Sequence, residues 1–290
     1  MATNISKTAS LIIVSLIYIF SLGLSWIILG MEISVYPILK MFIVDVIATV
    51  LVFVASFLFR NSSIYDPYWS VFPIFAAFFW FLEVGSAGNE IRNIILLSLV
   101  TLWGVRLTFN WARGWKGMNH QDWRYSKLEE DQGSLYWIVS FTGIHLFPTI
   151  VVFLGLIPLY YIFQDPSSIG IIDVVALMVT LSAIIIETMA DEQLKNFLRS
   201  SKGLMKNGIW SWSRHPNYFG EILFWIGLLL FLKDPLAGEN YWKISGVIAM
   251  SFLFNVISIP MMEKRQINKE GYKQYQKQVS KLIPLPPRYS

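Results

Sequence analysis

The chain has 290 residues, of which 55% are hydrophobic and only 14% charged, and its mean hydropathy is +0.53. Soluble globular domains carry about 25% charged residues, so the composition excludes an ordinary soluble domain and points to a membrane protein. The formal net charge of +4 and the pI near 9.1 would suit a nucleic-acid partner, but the placement of the charges argues against one.

Windows of roughly 20 mostly apolar residues, enough to cross about 30 Å of hydrocarbon, recur along the chain. The first, near 9–30, follows only Lys7 and has no small-residue cleavage site, so it reads as a retained helix and not a secretory signal. Further spans are expected near 41–60, 69–86, 92–113, 136–163, 170–191, 218–233 and 241–262, the third and seventh being short. No stretch between them is long enough for a soluble domain, and no internal repeat is visible. The expected fold is all-α, a polytopic membrane bundle of seven or eight transmembrane helices. Two N-terminal helices occupy 1–60, and one integrated bundle occupies 61–290.

Eight spans put the N-terminus, the segments around 61–68, 114–135 and 192–217, and the C-terminal tail on one side. Four basic residues (Lys40, Arg92, Lys233, Lys243) fall on the other side and Arg106 inside a span, leaving 18 of 23 on the first. The positive-inside rule makes that side, with both termini, cytoplasmic. The membrane is a bacterial inner membrane or the endoplasmic reticulum. Topology and anionic lipid account for the basic excess, with no nucleic acid.

Polar groups at membrane depth are costly and therefore mark function by default. Glu187 and Asp191 stand four apart on the sixth span, and Asn217, Glu221 and Trp225 repeat that spacing on the seventh. Arg106 lies on the fourth, so three helices offer polar faces at one depth, as bundles do when they build a ligand cavity. Pro216 suits the first turn of a helix, and Arg214 and His215 just before it would make an anion site at that helix start. His145 stands alone on a hydrophobic face and reads as a core histidine bonded to a backbone carbonyl. Asp45 and Glu83 read as structural acids or as marks of misplaced span ends.

With no cysteine the chain has no disulfide, no thiolate nucleophile and no cysteine-based metal site, and its three histidines are too scattered for another. Dinucleotide-fold, phosphate-loop, nucleophile-elbow and zinc-protease motifs are absent. Residue types alone reach a membrane enzyme or transporter with a polar cavity.

The run Ser213-Arg-His-Pro-Asn-Tyr-Phe-Gly-Glu221, with Gly271-Tyr-x-x-Tyr-Gln276 and Leu282-Ile-Pro284, resembles the steroid 5-alpha-reductase C-terminal-domain family. Asp66-x-x-Trp69 and Leu102-Trp-x-x-Arg-Leu107 resemble its bacterial-type branch, Glu187-x-x-x-Asp191-x-Gln193 adds to the set, and the similarity covers roughly 60–287. The resemblance implies a cytoplasmic-facing cavity that holds NADPH and reduces an activated carbon–carbon double bond in a lipophilic small molecule. Cofactor residues by that likeness are Arg106, Glu187, Asp191, Arg214, His215, Asn217, Tyr218, Glu221, Trp225 and Arg265, Arg106 contacting phosphate. The family's carbonyl-polarising acid falls at Asp66, but its tyrosine position holds Trp103, whose indole N–H cannot deliver a proton. Tyr65, Tyr68 and Tyr125 are substitute donors, of which Tyr68 is assigned the catalytic role with Asp66. No metal is implied. The Arg-His-Pro element also occurs in membrane isoprenylcysteine and phospholipid methyltransferases, so an S-adenosylmethionine-dependent methyltransferase is the alternative. A non-enzymatic lipid carrier is the remaining one.

Overall fold

A computed structural model describes residues 5–201, 203–234 and 238–288. The residues at the two ends of the chain, on which the cytoplasmic assignment of the termini falls, lie outside that set. Among the described residues the chain is helical and forms no strand beyond a parallel bridge between Ser213 and Ser280. The α-helices in chain order are α1 (Lys7–Gly30), α2 (Pro37–Leu58), α3 (Tyr68–Val84), α4 (Glu90–Gly114), α5 (Trp123–Gln132) and α6 (Tyr136–Val139). They continue with α7 (Phe147–Ile162), α8 (Ile171–Ser200), α9 (Pro216–Leu230), α10 (Ser245–Phe252), α11 (Ile259–Gln266) and α12 (Tyr272–Gln278).

Among the described residues, seven helical stretches are long and apolar enough to cross a membrane, as a polytopic bundle requires. Trp123–Ile162 runs through α5, α6 and α7, and Tyr241–Gln266 through α10 and α11. Each of these two stretches contains a π-helical turn, Ser140–Leu146 in one and Leu253–Ser258 in the other. Hydrophobic periodicity gives no sign of such turns.

The expected seventh span is α9, and its 15 residues rise only about 22 Å, short of the hydrocarbon core. It is an inner helix held against α8. A Cβ on Gly220 would lie 2.4 Å from the Glu187 Cγ, and one on Gly227 2.3 Å from the Thr180 Oγ1. Both distances are inside van der Waals contact, so glycine alone permits this approach. The sixth expected span also changes length, because α8 continues through the charged run after Asp191 to Ser200 and ends with Arg199 in its last turn.

At the end of the bundle away from most basic residues, fully buried Arg92 joins α4 to α8. Its Nε donates to Asp173 at 2.6 Å and its Nη1 to Asp165 at 3.3 Å. Removing one partner would strand a buried charge at about 3–5 kcal/mol. His145 is buried with Nδ1 2.9 Å from the Ser140 carbonyl and Nε2 3.1 Å from the Ser56 hydroxyl, the core histidine expected. Asp45 is buried too, and Glu83 is exposed at the far end of α3.

Candidate functional site

Asp66 precedes α3, in a segment fixed by its neighbours. The Asn61 side chain accepts from the Ser63 N–H at 2.9 Å and donates to the Met118 carbonyl at 2.8 Å. The Ser63 hydroxyl in turn accepts from the Asp122 N–H at 2.8 Å. Asp122 then caps α5, accepting from the Arg124 N–H at 2.9 Å and the Arg124 Nε at 2.8 Å. The first turn of α5 is thereby stapled to Asn61–Asp66, and the Tyr125 hydroxyl donates to Asp66 Oδ1 at 2.5 Å.

Across from this pair, α4, α8 and α9 build a second wall. Arg106 donates from Nη2 to Glu187 at 2.5 Å and from Nη1 to Asp191 at 2.9 Å, and Asn110, one turn on, donates to Asp191 at 3.0 Å. Both carboxylates sit on one face of α8, as their spacing requires. Glu221 accepts two indole N–H groups, from Trp103 at 3.1 Å and from Trp225 at 2.8 Å. Trp103 also stacks on Phe224 with ring centroids 4.6 Å apart. Trp103 therefore anchors a carboxylate and does not itself line the cavity described next.

The two walls enclose a cavity of about 430 Å³. Asp66, Tyr125, Asn110, Asp191, Asn217 and Glu221 line its polar side, with Glu187, Tyr218 and Arg124 beside them. Ile144, Pro148, Leu253 and Phe254 line the apolar side. Of the residues singled out in the sequence, Tyr65, Asp66, Tyr125, Glu187, Asp191, Asn217, Tyr218 and Glu221 thus meet at one cavity.

The others are elsewhere. The Tyr68 hydroxyl donates to Asp45 at 2.8 Å, pointing toward α2 and away from the cavity. Trp225 lies behind Glu221, and Arg106 lies behind Glu187 and Asp191 with both terminal nitrogens engaged, which differs from the expected phosphate contact. Arg214 binds Glu263 at 2.8 Å and donates to the Gln276 and Val279 carbonyls at 3.0 and 2.6 Å. It holds the tail in place of an anion. His215 Nε2 stands 3.5 Å from Glu263, and its ring lies parallel to Tyr218 at 5.4 Å. Burial pushes the imidazole down to about 4, with the Glu263 carboxylate opposing only in part. Arg265 lies over the Trp123 ring at 4.1 Å.

An outer groove adjoins the cavity, with Asp122 lining both. Arg60, Lys116, Lys127 and Arg265 contribute cationic side chains to it. Burial alone would raise Asp122, but the Arg124 guanidinium and its hydrogen bonds hold the carboxyl below its ordinary range. Asn110 and Asp122 were not singled out from the sequence, and Arg124 reads there only as one of the basic residues that set topology and meet lipid headgroups. The signals were there: Asn110 is one turn beyond Arg106, and Asp122-x-Arg124 opens a helix. Among the described residues no group of three or more metal-ligating side chains is placed to hold a metal ion.

Residues 52–279 match a family described as "Protein of unknown function (DUF1295)". An uncharacterized protein of Schizosaccharomyces pombe is 26% identical over 254 residues, covering 78% of this chain and 73% of its own length. No solved structure matches. The family match takes in every cavity residue named above and most of the bundle, and the chain belongs to the DUF1295 family.

Proposed function

We propose that this protein is an integral-membrane reductase that uses NADPH to saturate an activated carbon–carbon double bond in a lipophilic enone, its cavity opening to the cytoplasm. The observation that carries this reading is the pairing of the Asp66–Tyr125 carboxyl and phenol with the amide and carboxylate wall of Asn110, Asp191, Asn217 and Glu221 across one cavity. The resemblance of the Ser213–Glu221 run to the steroid 5-alpha-reductase family supports it.

The donor set fits a reduced dinucleotide. Inside, amides and carboxylates suit ribose hydroxyls and a carboxamide, and Asn217, Glu221, Asp191 and Asn110 would hold them. Outside, the guanidinium and ammonium groups of the groove suit phosphates. When bound, NADPH supplies the hydride for the beta carbon. Tyr125 and Asp66 serve the other end of the enone. With Asp66 in its acid form, its proton is donated to the phenol oxygen and the phenol O–H turns to the substrate carbonyl. That hydrogen bond stabilises the negative charge developing on oxygen. The proton passes to that oxygen, the resulting enol tautomerises to the saturated ketone, and water returns a proton to Asp66. Arg106 is a positioning residue, orienting Glu187 and Asp191. The apolar side excludes water during transfer.

One observation favours a second reading. Glu187 and Asp191 share Arg106 while Glu221 accepts only from indoles, and a net acidic wall suits the sulfonium of S-adenosylmethionine. Titration of purified protein separates the two. NADPH binding that falls at least tenfold in Asn217→Ala and in Glu221→Ala is expected, a loss of about 1.4 kcal/mol or more. Binding of S-adenosylmethionine with none of NADPH would replace reduction by methyl transfer.

A further inference from the structure

The Trp123–Ile162 and Tyr241–Gln266 stretches cross with their backbones in contact. A Cβ on Gly246 would lie 2.3 Å from the Gly155 amide nitrogen, so no side chain separates α10 from α7 there. Near the same end, the Lys243 ammonium lies 3.4 Å from the centre of the Tyr161 ring. Moving from that crossing toward the basic end of the bundle, each helix passes into its π-helical turn. π-helical turns are rare and frequently mark functional positions.

Both turns flank the cavity. Ile144 comes from the first, with Pro148 just beyond it, while Leu253, Phe254 and Ser258 come from the second. Phe254 packs on Tyr218 with ring centroids 4.7 Å apart, which fixes that side of the opening. Apart from Ser258 these residues are apolar, whereas Asn110 of α4, Glu187 and Asp191 of α8 and Asn217 and Glu221 of α9 supply amides and carboxylates. On the outside of the same turns, a Cβ at Gly143 would meet nothing within 4 Å, and Val256 and Ile257 are exposed where lipid would lie. The cavity thus has its hydrocarbon-compatible side where two helices in backbone contact at one end both line it at the other.

We propose that the space between the two π-helical turns is a lateral portal, through which a membrane-borne amphiphile reaches the cavity from the bilayer. Its reactive polar end lies among Asp66, Tyr125 and the facing wall, and its hydrocarbon chain stays between Ile144 and Phe254 and runs out into lipid. The portal rests on the proposed reduction only for the chemistry of the reacting end. A chain left in lipid needs no full desolvation cavity, which agrees with a space of about 430 Å³.

The absence of native cysteines makes the test direct. Ser258→Cys, Ile257→Cys and Ser200→Cys are each labelled with bimane and placed in phosphatidylcholine vesicles containing doxyl-labelled acyl chains. Quenching at position 258 is expected to approach that at lipid-facing 257, to exceed that at 200 several-fold, and to fall by at least half when Ile144→Trp or Leu253→Trp is added. Position 257 should not respond to either tryptophan. Quenching at 258 no greater than at 200, quenching there by water-soluble nitroxide alone, or indifference to both tryptophans would overturn the portal. NADPH titration of the same preparations keeps the two readings apart. Normal cofactor binding without the acyl-chain signal removes the portal alone, and the signal without cofactor binding removes the reductase alone.

Discussion

Tyr125 and Asp66 lie 59 positions apart, and nothing in their local sequence says that they meet. Their hydrogen bond follows from the Asn61 and Ser63 contacts that pin the start of α5, which are tertiary and carry no periodic signature. The polar pairs on α8 and α9 were legible because a helical repeat of four needs no tertiary information. Tyr68 shows the limit from the other side, since closeness in sequence to Asp66 left its hydroxyl on Asp45. Tyr125→Phe should slow enone-dependent NADPH oxidation by about 10²–10⁴-fold while NADPH affinity stays unchanged. Tyr68→Phe should lower the unfolding midpoint through loss of one buried hydrogen bond, about 1 kcal/mol, with turnover near that of the unaltered protein. The reverse outcome would return the catalytic role to Tyr68.

Among the elements, the helices with long apolar windows were legible, and their ends and irregularities were not. The short α9 exists because Gly220 and Gly227 let it sink against α8, a packing fact that hydropathy does not register. Gly227→Ala should cost about 1–3 kcal/mol by overpacking against Thr180, read as a lower midpoint in detergent. An unchanged midpoint would mean that the helices do not approach as closely as described. The segment before α9 adds a pH effect. His215 stays neutral when folded down to about pH 4, against 6.5 for the exposed ring, so below 6.5 the unfolded chain binds the extra proton. Stability is complete above pH 6.5 and is lost as pH falls toward 4, by about 2 kcal/mol at pH 5. Thermal melts at pH 7.5 and 5 should differ less in His215→Gln. Equal slopes would show that another group titrates.

For the molecule as a whole, the hydropathy and the scarcity of charge gave the polytopic bundle directly, because both report on the solvent around it. Sidedness rests on the uneven distribution of lysine and arginine, and it is tested by labelling. A membrane-impermeant maleimide should modify Ser168→Cys in intact cells or sealed vesicles of native orientation, and Ser200→Cys only after permeabilisation. Labelling in the opposite order would turn the cavity to the other side of the membrane. The cavity needs α4, α8 and α9 together with the segment before α3, so no single stretch of sequence contains it. Arg214 adds a temporal consequence. It leads into α9, and its carbonyl partners at Gln276 and Val279 are made 62 and 65 residues later. At roughly 5–20 residues per second, the nascent chain waits several seconds between making that arginine and making the groups that hold it. The clasp between the start of α9 and the C-terminal tail is therefore among the last contacts of the protein to set during synthesis, after α9 has already met α8.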